Sequence, residues 1–245
     1  MAIKLSLNEL TSLLKRSLEG LAYCQSDFED AANAIAWLES HGLKGLEIEI
    51  LPARSAHGAE TSATASESGE SIAVFANNNV AFCGRMAVEL ACSIAAKDDF
   101  AEIEIQHCRE RRAILSSLPV CAARGLHAIT HWRDNNYLYI ASINAFRKTP
   151  DIRYLPNSLD HTSDLNRLLF ACASDAQVIN SLSNELLSNS DCIDRHDSSE
   201  SLKARYEDAI TGGIYVDDEV VNTLNGYAEK ILVEATEQSR QGAGE

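Results

Sequence analysis

Two short runs of this sequence combine groups that move protons with groups that hold anions. The first is Glu39-Ser40-His41-Gly42. A histidine followed by glycine at the exit of a helix lies near the negative end of the helix dipole. That position favours the protonated imidazole, which could then serve as an acid in a cleft. The same four residues also suffice for a plain helix stop in which the imidazole bonds the last carbonyls. The second run is Gln106-His107-Cys108-Arg109, followed by Arg111 and Arg112. It stands where an expected strand hands over to an expected helix, the place where open α/β sheets bind ligands. Free N–H groups at a helix start and forked guanidinium groups would suit an anion. The competing reading is a polar loop whose arginines pair with nearby acids. A third pattern, His127, Thr130 and His131, puts two imidazoles on one strand face. No carboxylate completes a metal triad there, so these read as partnered histidines and no metal is expected.

The elements that must position these runs are legible from spacing. Ser6-Leu7-Asn8-Glu9 and Ser26-Asp27-Phe28-Glu29 both have the form of a capping box. Each precedes apolar residues at helical spacing, stopped by Gly20 and Gly42, so residues 1–45 read as a helical hairpin. Residues 46–51 alternate apolar and acidic side chains and predict a strand. Residues 54–70 predict a loop, and 71–75 a short strand. Asn77-Asn78-Asn79 can cap a helix over 80–97. Residues 100–107 are the clearest strand, with Ala101, Ile103 and Ile105 on one face. A helix over 111–124, bent near Pro119, then leads to strands 126–132 and 137–144 around Asp134-Asn135-Asn136. Strand, helix and strand between 100 and 132 predict a βαβ unit with a parallel pair. Residues 146–160 predict a connection between lobes. Residues 165–172, 178–187 and 218–236 read as helices, 189–201 as a loop. The expected organisation is a hairpin (1–45), a sheet core (46–150) and a C-terminal helical segment (151–245) packed back on it.

Bulk properties narrow the functions. The formal net charge of -15 repels nucleic acid and anionic lipid, so neither is an expected partner. Against that field a local arginine group would stand out to a small anionic metabolite. The seven cysteines are scattered and contain no C-x-x-C pair, which argues against a disulfide framework or a structural zinc. Cys83, Cys92, Cys121 and Cys172 sit among apolar residues and read as small core side chains. This usage, with an N-terminus that turns polar at once, points to the cytoplasm.

The hairpin ending in Ser40-His41-Gly42 resembles the opening of the type-2 malate/L-lactate dehydrogenases. So does the order of the alanine-rich stretch 88–96, the strand 102–105, Gln106-His107, and the run 120–130. The chain also looks like an uncharacterised bacterial family of unknown function, through Leu5-Ser6-Leu7-Asn8-Glu9 and residues 235–244. The dehydrogenase resemblance implies a non-Rossmann α/β fold, truncated here, that forms a homodimer. It implies a reductase of small 2-oxo or imino acids using NAD or NADP. His41 would donate the proton, with Ser40, Lys44, Arg109 and Arg111 on the substrate and Asn78, Asn79 and His107 on the cofactor. The sequence departs from that family in three places. Gly45 stands where the family has its carboxylate-gripping arginine, three asparagines replace its glycine-rich turn, and Lys148-Thr149-Pro150 is what remains of its G-T-N-P segment. Two functions therefore stay open. One is a dehydrogenase-like enzyme. The other is a non-catalytic subunit or small-molecule binder on the same scaffold.

Overall fold

The computed structural model describes residues 2–50, 64–68, 71–75, 79–157, 166–188 and 192–231, with the backbone alone at 64–68 and 71–75. Strand β1 (Ala2–Leu5) leads into α1 (Leu7–Gly20) and α2 (Gln25–Ser40). The first capping box is complete: Glu9 N donates to Ser6 Oγ at 3.2 Å, and Ser6 N donates to Glu9 Oε2 at 2.8 Å. The second is not formed. Helix α2 starts two residues early, with Cys24 as a cap that offers no side-chain bond. Helix α1 packs between α2 and α7 (Asp218–Ala228). Gly20 permits the close approach to α7, because a Cβ there would meet Tyr227 O at 1.9 Å. Strand β10 (Ile214–Asp217) pairs antiparallel with β1, so the C-terminal segment closes onto the first residues of the chain.

The main sheet has eight strands among the described residues. These are β2 (Thr64–Ser68), β3 (Ser71–Phe75), β4 (Phe100–Gln106), β5 (His127–Arg133), β6 (Tyr137–Ile143), β7 (Asp151–Pro156), β8 (Leu168–Ala173) and β9 (Arg195–Asp197). Their order is β2-β3-β4-β8-β5-β6-β7-β9. The parallel pair is β3 and β4, joined by α3 (Val80–Asp98). The strands expected as a βαβ unit at 100–107 and 126–132 run parallel to each other, with β8 inserted between them antiparallel to both. The crossover between them is a 3-10 helix (Arg111–Ser117) continued by α4 (Leu118–Ala123), with Pro119 in the first turn of α4. One core fills the face under α1–α4. A second lies on the opposite face, where Ile129, Leu138, Ile140 and Leu155 pack against α5 (Ala176–Ser188).

Several expectations change. Residues 46–51 are not a strand: Gly45–Glu47 is a 3-10 turn, and Leu51 lies outside the described residues. The stretch at 165–172 is strand β8, not a helix. Its Leu-Leu-Phe-Ala-Cys-Ala run is buried on both faces and so lacks the alternation that marks a half-buried strand. Residues 146–160 contribute β7 to the sheet, although they were expected to link lobes. Residues 195–201, expected as loop, hold β9 and the start of α6 (Ser199–Gly212), capped by Ser198 Oγ. The segment after residue 150 is therefore not purely helical. It supplies three strands of the main sheet. Residues 54–63 and 69–70 of the expected loop, Asn78, and the helix end beyond residue 231 lie outside the described residues. No helix of the described residues is long and apolar enough to cross a membrane.

Candidate functional site

His41 stands immediately after α2, and Gly42 follows with φ 68°, a left-handed turn that ends the helix. The imidazole is 2% exposed. It stacks on Trp37 at 3.9 Å on one side and on Tyr206 of α6 at 5.0 Å on the other. Its Nδ1 lies 2.7 Å from Trp37 O, which fixes the proton on Nδ1, since a carbonyl can only accept. Ser40 Oγ donates to the same carbonyl at 2.9 Å and is itself buried. Burial, opposed by the bond to the Trp37 carbonyl, holds the histidine below its ordinary pKa. The helix-dipole argument predicted the opposite, a favoured imidazolium. Desolvation under α6 outweighs the dipole, and the ring is neutral near pH 7.

The basic and amide residues gather at a different place. Asn79 caps α3, with Oδ1 accepting from Ala81 N at 2.9 Å and Nδ2 donating to Glu49 O at 2.8 Å. Val80 N donates to Arg109 O at 2.9 Å, which seats the 106–110 turn beside the start of α3. Arg109 pairs with Glu49 at 3.3 Å. Lys44 pairs with Glu47 at 2.9 Å, and Arg112 lies 3.8 Å from Glu47 and 3.6 Å from Glu110. Arg111 folds back to donate to Cys108 O at 3.1 Å, and among the described residues its buried Nε has no partner. His107 is exposed, on a left-handed turn with φ 53°. The structure thus brings Lys44, Arg109 and Asn79 into one rim of ion pairs. Among the described residues, none of them is a hydrogen-bond or ring partner of His41.

Among the described residues, two concavities bear on a ligand site. The first, between α2, α3 and the 3-10 helix, is lined by Asp30, Asn33, Trp37, Arg85, Ser116 and Ser117, among others, and holds about 120 Å³. That is room for about four waters, well short of the few hundred Å³ of ordinary ligand pockets. Burial, opposed by Arg85, raises the Asp30 carboxyl there. The second lies on the opposite sheet face, between β6, β7 and α5, and holds about 360 Å³. Its lining is polar: Asn144, Asp151, Arg153, Asn180, Ser183 and Asn184 contribute. Arg153 Nη1 donates to Ser183 Oγ at 3.5 Å, and among the described residues it pairs with no carboxylate. The sequence reading missed this cleft. Its α5 side was legible as a helix, but its β7 wall fell in the expected linker.

Gly45 bears on the resemblance directly. Its backbone packs on α2, and a Cβ there would lie 2.0 Å from Ile35 O. No side chain can stand at that position without moving the helix, so it cannot carry a substrate-binding arginine.

The architecture is a malate/lactate dehydrogenase-like α/β fold. It is similar to malate dehydrogenase from Pyrococcus horikoshii, with TM-score 0.68 and 13% identity over 95% of this chain and 97% of that one. It is also similar to sulfolactate dehydrogenase from Methanocaldococcus jannaschii, with TM-score 0.62 and 12% identity over 94% and 97%. A third likeness is to delta1-piperideine-2-carboxylate reductase from Pseudomonas syringae, with TM-score 0.60 and 12% identity over 92% and 99%. At such identities the likeness establishes the scaffold, and chemistry must be argued from the site. Residues 5–67 match a family described as proteins of unknown function (DUF3726). No curated protein matches the chain significantly.

Proposed function

We propose that this chain uses a dehydrogenase-like scaffold to bind a small anionic metabolite without transferring hydride to it. The observation that carries this reading is the state of His41. An acid must present a proton to substrate, yet this imidazole is neutral, closed between two rings, and its one proton is committed to Trp37 O. Of the residues expected to hold NAD or NADP, Asn79 argues against that group. Both ends of the Asn79 amide are engaged, and the space beside Trp37 is a fraction of a dinucleotide's volume. Lys44 and Arg109 are neutralised by acids, and Gly45 offers no grip. The cleft around Arg153 has the size and the polar lining for a small carboxylate.

Calorimetric titration with a panel of small 2-oxo and 2-hydroxy carboxylates tests this. Saturable binding that is lost in Arg153→Gln, at unchanged melting temperature, is expected. Absence of binding, or binding lost in Arg109→Gln but kept in Arg153→Gln, would overturn the assignment.

One observation favours the second reading, an NAD- or NADP-dependent reductase of a small 2-oxo or imino acid. The face of His41 opposite Trp37 is covered by Tyr206, a residue 36% exposed on α6. A shift of α6 alone would bare the imidazole. Reduction of any such acid by the purified chain, abolished by His41→Gln, would establish that reading instead.

A further inference from the structure

Three cysteines far apart in sequence meet in the core. Cys92 comes from α3, Cys121 from α4 and Cys172 from β8, and their sulfur atoms all lie within 4.8 Å of one another. All three are buried, at 2%, 0% and 0% exposure. The sequence offered no C-x-x-C signal because no two of them share an element.

We infer that Cys92, Cys121 and Cys172 form a three-coordinate, all-sulfur site for a soft monovalent cation, copper(I). Three sulfurs bonded to one ion at about 2.3 Å in a plane stand about 4.0 Å apart, within the spacing found here. Thiolates select soft ions, and a closed structural zinc site takes four ligands. Among the described residues no further Cys, His, Asp or Glu completes this group to four. The Arg124 guanidinium acts on Cys92 and lies 3.6 Å from Glu89. Hydrogen bonds from the Cys121 and Cys172 thiols, against burial and with help from Arg124, hold the Cys92 thiol well below its ordinary range. The Cys121 and Cys172 thiols beside it are raised, as are Cys83 and Cys108, which burial lifts to about 12 and about 11, so the meeting of three sulfurs and not a shared acidity marks the site.

Binding forms three sulfur–copper bonds to three thiolates, any proton still held by a thiol passes to solvent, and no electron is transferred. The bound site carries a net charge of about −2, partly offset by Arg124. The proposal is independent of the Arg153 cleft, since the cluster lies in the core under α3 and α4.

The test is anaerobic titration of the full chain with copper(I) against a chromophoric copper(I) chelator. The exposed Cys24 and Cys192 are first replaced by serine to remove adventitious thiols. Copper is also supplied during refolding, so that slow entry to a buried site cannot mask binding. The expected result is one copper per chain, a thiolate-to-copper absorption band, and a raised melting temperature. Each of Cys92→Ala, Cys121→Ala and Cys172→Ala is expected to weaken retention at least tenfold, while Cys83→Ala and Cys108→Ala retain it. Circular dichroism confirms folding, and whichever of the three variants folds suffices to decide. Copper removed fully by the chelator, equal losses in the Cys83 and Cys108 variants, or tighter uptake of zinc would overturn the proposal.

Discussion

Replacing His41 with alanine separates a structural imidazole from a catalytic one. The substitution removes the ring stacked at 3.9 Å on Trp37 and 5.0 Å on Tyr206, and the 2.7 Å bond to Trp37 O. Buried ring pairs contribute about 0.5–1.5 kcal/mol each, and a hydrogen bond about 1 kcal/mol. The total loss is about 2–4 kcal/mol. For a chain of this size each kcal/mol lowers the melting temperature by about 2–4 °C, so His41→Ala should melt roughly 5–15 °C below wild type. The exposed His107→Ala should remain within about 0.5 kcal/mol of wild type. Urea and thermal unfolding followed by circular dichroism measure both. A His41→Ala protein as stable as wild type would refute the buried stack, and with it the argument that this imidazole is closed to substrate.

Other expectations follow from the same geometry. Because His41 has a folded-state pKa below its ordinary 6.5, the unfolded chain takes up a proton that the folded one refuses. Its contribution is intact above about pH 6.5 and is lost as pH falls toward the folded pKa. His41→Phe, which keeps a ring but cannot titrate, should show less destabilisation between pH 7 and pH 5 in parallel melts. Asp197 is 3% exposed and receives Arg195 and Arg205 at 2.7 Å and the Tyr154 hydroxyl at 2.8 Å, tying β9, α6 and β7 together. Burial pushes this carboxyl up, but the Arg205 and Tyr154 hydrogen bonds and the two guanidinium charges prevail and hold it below its ordinary value. Its stabilisation is present above about pH 4 and lost at lower pH. Asp197→Asn should cost about 2–3 kcal/mol in urea unfolding at pH 7, discounted for the half-exposed arginines. Gly45→Arg should not restore a carboxylate grip. Its Cβ meets Ile35 O at 2.0 Å, so the variant should lose about 1–3 kcal/mol and gain no ligand affinity by calorimetry.

Local signals in the sequence carried the parts of the fold that local physics decides. The Ser6 capping box, the Asn79 cap, the alternation of β4 and the turn between β5 and β6 all concern residues within a few positions of one another. Strand β8 was illegible because both its faces are buried, which erases periodicity and leaves an apolar run that suits helix or strand equally. Its insertion between β4 and β5 is a tertiary event that no local pattern records. The same limit applies to the site. His41 at a helix exit was readable, but its cover, Tyr206, lies 165 positions later on a helix that no local signal had marked. For the arginines the competing reading, a polar loop paired with nearby acids, fits Arg109 and Arg112, which pair with Glu49, Glu47 and Glu110 where a 3-10 turn replaces the expected strand at 46–51. The three-cysteine cluster depends on α3, α4 and β8 meeting, so only the folded chain reveals it.

The central claim is that this scaffold has left hydride transfer behind. It is tested most directly by following reduced-nicotinamide absorbance when the purified full chain is mixed with NADH or NADPH and a panel of 2-oxo and cyclic imino acids. No oxidation above the protein-free rate, for any acid with either nucleotide, is the predicted result. Saturable oxidation with even one acid, lost in His41→Gln, would contradict the account.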